Sequence, residues 1–170
     1  MDPVTFVTDA SLALLARRLR QLGYDVLVHR GARLEELLEA AARDGRTVLT
    51  RSGRHPKRWA AVPVARVTGT DTAEQLRVAV ARGPASSAPL GRCSHCNHAL
   101  RTRSMFEAHG EVPGRVARSG SPLWSCTGCG QWFWLGSHTD RLHAWFTAAL
   151  GPIVGWPERP APGQMPRASR

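Results

Sequence analysis

The sequence predicts an α/β protein: a three-layer unit with a mostly parallel sheet, followed by a small four-cysteine ribbon. Three observations carry this expectation. Short β-prone runs alternate with helical periodicities of about a dozen residues through the first half. A stretch rich in proline, serine and alanine, residues 84–91, then interrupts the pattern. Beyond it, all four cysteines fall in two Cys-x-x-Cys pairs, Cys93/Cys96 and Cys126/Cys129. The 170 residues therefore divide into an α/β domain over 1–83, a linker over 84–91, a ribbon with a terminal helix over 92–150, and a basic, proline-rich tail over 151–170 expected to be disordered.

The run Val4–Thr8 reads as the first strand. Asp9 follows, and Leu12, Leu15, Ala16, Leu19 and Leu22 then repeat at helical spacing up to Gly23. Arg17, Arg18 and Arg20 project largely away from that apolar stripe, toward phosphate or toward water. Asp25–His29 is the second strand; Leu34, Leu37, Leu38 and Ala41 mark a second helix ended by Gly45; Thr47–Thr50 is the third strand. Alternation of this kind implies right-handed crossovers, with functional loops gathered at the carboxyl ends of the strands. Asp9 and the loop Arg51–Arg58, broken by Gly53 and Pro56, belong there. Val62–Val67, interrupted by Pro63, is an edge strand, and Asp71-x-x-Glu74 opens a helix to Ala81 as a capping box, so Asp71 reads as a cap. Leu142, Trp145, Phe146, Ala149 and Leu150 mark a last amphipathic helix, stopped by Gly151-Pro152.

Two thiolates separated by two residues grip one ion from a single turn, and two such turns supply four sulfur ligands. Structural zinc is the expected occupant, since four protein ligands leave no open position for water or substrate. Gly130, after the second pair, lets backbone amides fold over the sulfurs. The 29 residues between the pairs exceed the usual spacing. Two disulfides or four unrelated buried thiols are the plainer alternatives.

The formal net charge is +10, and Lys57 is the only lysine, so nearly every cation is a planar guanidinium suited to phosphate. This points to a polyanionic partner, RNA above all; the bland alternative is a genome that replaces lysine with arginine throughout. No apolar run approaches the roughly 18 residues of a membrane span and no signal-peptide pattern opens the chain, so the expectation is a cytoplasmic protein with no membrane partner. A reducing compartment also favours metal over disulfides.

The order of motifs resembles the Mut7-C RNase family, a PIN-like α/β unit joined to a C-terminal zinc ribbon, over roughly residues 4 to 143. The resemblance rests on Val7–Val26, Gly45–Arg51, Arg92-Cys-Ser-His-Cys-Asn97, and Cys126–His138 with its aromatic cluster and Gly-Ser-His ending. It implies a metal-dependent ribonuclease in which carboxylates at the sheet's carboxyl edge hold Mg²⁺ or Mn²⁺, activating a water and neutralising the leaving oxygen. On this resemblance Asp9 is the first acid and Asp25 the second. The nucleic-acid contacts expected beside them are Arg17, Arg20, Arg51, Arg54, Lys57 and Arg58.

The chain departs from the family where Leu-Thr-Arg-Asp is usual and Leu49-Thr-Arg-Ser52 stands instead. A neutral hydroxyl replaces a carboxylate, so affinity for a divalent ion falls. Glu35 and Glu36 are candidates to make up the missing acid. Each assignment has a structural rival: Asp9 as a helix cap, Asp25 as a solvated strand opener, His138 as a packed histidine rather than an RNA or zinc-site contact, and Trp132, Phe133 and Trp134 as ribbon core rather than a base-stacking surface. The function expected is an endoribonuclease weakened at Ser52. The alternatives are a non-catalytic RNA- or ribonucleoprotein-binding zinc-ribbon protein and a partner-binding adaptor.

Overall fold

The computed structural model describes residues 2–30 and 33–159, and the chain forms two compact units, residues 1–97 and 98–170. The first holds a four-stranded, wholly parallel sheet of order β2-β1-β3-β4. Its strands are β1 (Thr5–Asp9), β2 (Asp25–His29), β3 (Thr47–Thr50) and β4 (Val64–Arg66), and its helices are α1 (Ala13–Gln21), α2 (Leu34–Asp44) and α3 (Thr72–Val80). One 3₁₀ turn, Ala10–Leu12, leads into α1, and another covers Lys57–Trp59. β4 is the edge that Pro63 anticipates.

Period-two alternation assigns the faces. Val7 and Val48 lie on one side of the sheet, where Leu37, Leu38 and Ala41 of α2 cover them together with Val62. Phe6, Leu15, Leu19 and Leu76 are equally buried, each at 0–1% exposure. Burial on that scale contributes about 1.5–3 kcal/mol per large side chain. Asp71 caps α3 by accepting from the amides of Ala73 and Glu74, so its expected role as a cap holds.

Residues 84–91, expected as a linker, are strapped to the first unit. Val4 N–H donates to Pro84 O at 3.0 Å, Ser87 N–H to Gly23 O at 3.2 Å, and Leu90 N–H to Gln21 O at 2.8 Å. Gly23 is required twice over: its φ is +92°, and a Cβ there would stand 2.1 Å from Ser87 O.

The second unit contains an antiparallel sheet of order β5-β6-β7: Leu100–Arg103, Leu123–Cys126 and Trp132–Trp134. A four-residue helix, α4 (Gly114–Ala117), lies between β5 and β6, and α5 (Ser137–Leu150) follows β7. Ala108, Val112, Val116 and Leu123 form a core against which Trp132 and Trp134 pack, the core reading of the aromatic cluster for those two. His138 is exposed and meets Trp134 edge-on at 6.1 Å. The start of the tail expected to be disordered also packs: Trp156 stacks on His143 at 5.0 Å and tilts against Phe146, and Arg159 pairs with Asp140 at 3.4 Å. One large aromatic residue among the prolines supplies apolar area that composition averages away. Residues 160–170 of that tail lie outside the described residues.

Candidate functional site

Parallel pairing brings one row of side chains to the carboxyl edge of the four-stranded sheet. Asp9 pairs with His29, and Thr50 with Arg66. Because Thr8 pairs with Leu49, Asp9 and Thr50 come next along adjoining strands. The row His29, Asp9, Thr50, Arg66 thus crosses all four strands, and its parity is that of Val7, so it faces the side covered by α2. β1 and β3 flank the topological switch point, because the chain leaves β1 for one side and returns to β3 on the other. Open parallel sheets place ligands in this crevice.

Local turns shape its rim. Asp9 Oδ1 accepts from Ser11 N–H at 2.7 Å, so it caps the 3₁₀ turn while standing at the strand end. Ser52 N–H donates to Thr50 Oγ1 at 3.0 Å, and Ser52 Oγ accepts from Arg54 N–H at 3.1 Å. The serine hydroxyl is therefore engaged within its own loop. Arg66 lies under that loop, where a Cβ on Gly53 would meet its guanidinium at 3.2 Å. His29 and Arg66 are the members of this site that sequence reasoning missed. The signal for His29 was available, since it ends the predicted second strand, whereas Arg66 lies inside the predicted run Val62–Val67 and ends the strand only in the structure.

Both candidate replacement acids are paired with arginines. Glu35 meets Arg58 at 2.6 Å, and Glu36 accepts from Arg33 N–H and Arg33 Nε at the start of α2. Those hydrogen bonds from Arg33, against a small opposing effect of desolvation, hold the Glu36 carboxyl below the ordinary range. Asp9 is then the one carboxylate in the row. Mg²⁺ is usually held by one or two carboxylates plus substrate phosphates, and the single carboxylate of this row is the lower bound of that requirement.

Among the basic residues expected to touch RNA, Arg51, Arg54, Lys57 and Arg58 are exposed on the loop after β3, at this same edge. Arg17 is exposed on α1. Arg20 corrects the expectation: it is only 7% exposed and faces inward. Its Nε and Nη2 donate to Val26 O at 3.0 and 2.7 Å, and its Nη1 donates to Ser94 O and His95 O at 3.3 and 2.9 Å. A guanidinium with four backbone bonds is a structural pin, because burying it unpaired costs several kcal/mol.

Asp25 is not brought to Asp9. It opens β2 opposite Thr5, whereas Asp9 and His29 close the same ladder. Four residues at ~3.3 Å each separate the two acids by about 13 Å along the strands. Carboxylates bind Mg²⁺ at about 2.0–2.1 Å, so this pair does not share an ion as expected. Asp25 Oδ1 instead accepts from Arg46 Nη1 at 2.6 Å and Asn97 Nδ2 at 2.9 Å, and Arg92 Nη2 lies 3.3 Å from Oδ2. Burial pushes the carboxyl up, but hydrogen bonds from Arg46 and Asn97 and the two arginine charges outweigh it and hold it below the usual range.

The Sγ atoms of Cys93, Cys96, Cys126 and Cys129 lie within 4.8 Å of one another, and none is in a disulfide. No second set of three or more such ligands is brought together among the described residues. Cys126 Sγ accepts from the amides of Gly128 and Cys129 at 3.3 and 3.4 Å, the amide-over-sulfur arrangement that suits a thiolate. Gly130 permits it with φ +72°. On the first knuckle Asn97, at φ +74°, donates its N–H to Cys93 O at 2.9 Å. Four thiolates of this spacing fit a tetrahedral ion such as zinc.

No helix among the described residues is long and apolar enough to cross a membrane. Compared with known families, residues 4–146 match the model of the Mut7-C RNAse domain. Neither the curated proteins nor the solved structures contain a match.

Proposed function

The chain belongs to the Mut7-C RNAse domain family, a ribonuclease-like family, and from that premise we propose that it engages RNA at the carboxyl edge of the first unit's sheet as a PIN-like, metal-dependent ribonuclease of reduced activity. The observation that carries this is the placement of Asp9 at the switch point beside the basic loop Arg51–Arg58. Arg51, Arg54, Lys57 and Arg66 clamp phosphates, and Asp9 with a substrate phosphate holds the divalent ion. Bound there, Mg²⁺ or Mn²⁺ supplies Lewis acidity for phosphodiester hydrolysis. Activity is reduced because Ser52 brings no charge and Asp25 is committed to the opposite end of the sheet. A cytoplasmic location belongs to the same proposal.

A second reading, RNA or ribonucleoprotein binding without cleavage, is favoured by the single carboxylate in the row. The two are separated by incubating the purified chain with single-stranded and structured RNA in Mn²⁺ or EDTA and following the same mixtures by gel shift. Slow cleavage in Mn²⁺ that stops in EDTA supports the ribonuclease. A salt-sensitive shift with no cleavage in either condition supports binding alone, since phosphate contacts release counterions. Neither cleavage nor shift removes RNA from the account and leaves the adaptor.

A further inference from the structure

The acid displaced from the carboxyl edge has a second employment. Asp25 faces the loop that carries Cys93 and Cys96, through residues that flank those cysteines directly. Asn97 follows Cys96, and its amide bridges two parts of β2: Nδ2 donates to Asp25 Oδ1 at 2.9 Å, and Oδ1 accepts from Val26 N–H at 3.1 Å. Arg92 precedes Cys93, pairs with Asp25 at 3.3 Å, and donates through Nη1 to Asn97 O at 3.0 Å. Arg20 holds the two residues between the cysteines by their carbonyls. Every residue of the knuckle other than the ligands themselves is thus tied to β2 or to a side chain anchored on it.

We propose that Asp25 is a positioning residue for the Cys93–Cys96 knuckle, fixing its two thiolates for zinc and tying zinc retention to the amino edge of the sheet. The backbone at Asn97 supports this. Its left-handed conformation closes the knuckle through the Asn97 N–H to Cys93 O bond, and that closure aims the side-chain amide at Asp25. The carboxylate in turn fixes the amide's orientation, because only its Nδ2 can donate to Asp25 while Oδ1 accepts from Val26. A knuckle held in this way loses less conformational freedom when its sulfurs close on an ion. Outer partners that orient metal ligands in general are worth about 10–100-fold in affinity.

The test uses the 170-residue chain loaded with one equivalent of zinc and challenged with a chromogenic chelator, comparing wild type, Asp25→Asn, Asn97→Gly and Asp9→Asn. Zinc release is expected to be about 10-fold faster in Asp25→Asn and Asn97→Gly and unchanged in Asp9→Asn. Asn97→Gly keeps the left-handed backbone and removes only the bridging amide, so it decides the matter where Asp25→Asn fails to fold. Thermal midpoints with and without zinc distinguish positioning from general support of the fold. Positioning shrinks the rise in midpoint that zinc confers, whereas general support lowers both midpoints equally. Unchanged release in the folded variants, or an undiminished zinc increment, overturns the proposal. Neither readout involves RNA, so the outcome is independent of the ribonuclease reading.

Discussion

Asp9 and His29 are partners in the last register of the β1–β2 ladder, so an acid and an imidazole stand side by side at the carboxyl edge of the sheet. Removing the charge of the acid alone should separate cutting from binding. Asp9→Asn is expected to lower Mn²⁺-dependent cleavage by about 100-fold, some 2.7 kcal/mol in the barrier. RNA affinity should hold or rise, because a negative charge has left a phosphate site. Asparagine caps helices about as well as aspartate, so thermal stability should not move. Cleavage assays beside gel shifts check both halves, and undiminished cleavage would remove Asp9 from the site.

Ser52→Asp should return a second carboxylate to the crevice. The new side chain can still accept from Arg54 N–H, as the Ser52 hydroxyl does, so the loop is retained. Mn²⁺-dependent cleavage is expected to rise about 10-fold or more, with a lower Mn²⁺ requirement. A metal titration of initial rates reads this directly. No gain would show that this edge does not bind a catalytic ion.

Arg51→Ala combined with Arg54→Ala should weaken RNA binding across all sequences. On single-stranded RNA, the slope of log affinity against log salt should become shallower by about 0.7 for each arginine that neutralises a phosphate. Binding isotherms at several salt concentrations give that slope.

Arg20→Met should behave oppositely. Removing its bonds to the Val26, Ser94 and His95 carbonyls is expected to cost about 2–3 kcal/mol of folding stability, measured by urea denaturation. The salt dependence of RNA binding should be unchanged, because the guanidinium is committed to backbone carbonyls.

Glu107 predicts an acid-sensitive second unit. Hydrogen bonds from Ser104 N–H, Arg103 and the Ser104 hydroxyl hold its carboxyl at about 2 against an ordinary 4.5. A depressed folded-state value means its contribution is complete above about 4.5 and is lost as pH falls through about 2. Glu107→Gln should flatten the fall in melting temperature across that window while leaving neutral-pH RNA binding intact. The effect should be small, since the group is exposed.

Much of the first unit was legible because apolar spacing is a local signal. Thr47–Thr50 is the strand that the sequence predicts, and Asp25–His29 likewise. The misplaced residues depended on partners far away in sequence. Arg20 adjoins the apolar stripe of α1 and turns inward to reach carbonyls more than seventy residues distant, which no helical wheel displays. Asp25 was different: it opens its strand whereas Asp9 closes its own, and in a parallel sheet those are opposite ends. That signal was present and was outweighed by the family pattern. The cysteine pairs were readable from spacing alone, whereas the packing of Trp156 on His143 was hidden beneath a proline-rich composition.

The bonds to Asp25 also set an order of events during synthesis. Arg46 lies 21 residues from Asp25 along the chain and Asn97 lies 72 away. Closing the longer loop costs about 1 kcal/mol more in chain entropy. Along the chain, Arg46 comes directly before β3, and Asn97 comes only after α3 and residues 84–91. The amino edge of the sheet therefore has its full set of partners only once Asn97 has been made, the residue that follows the first pair of cysteines.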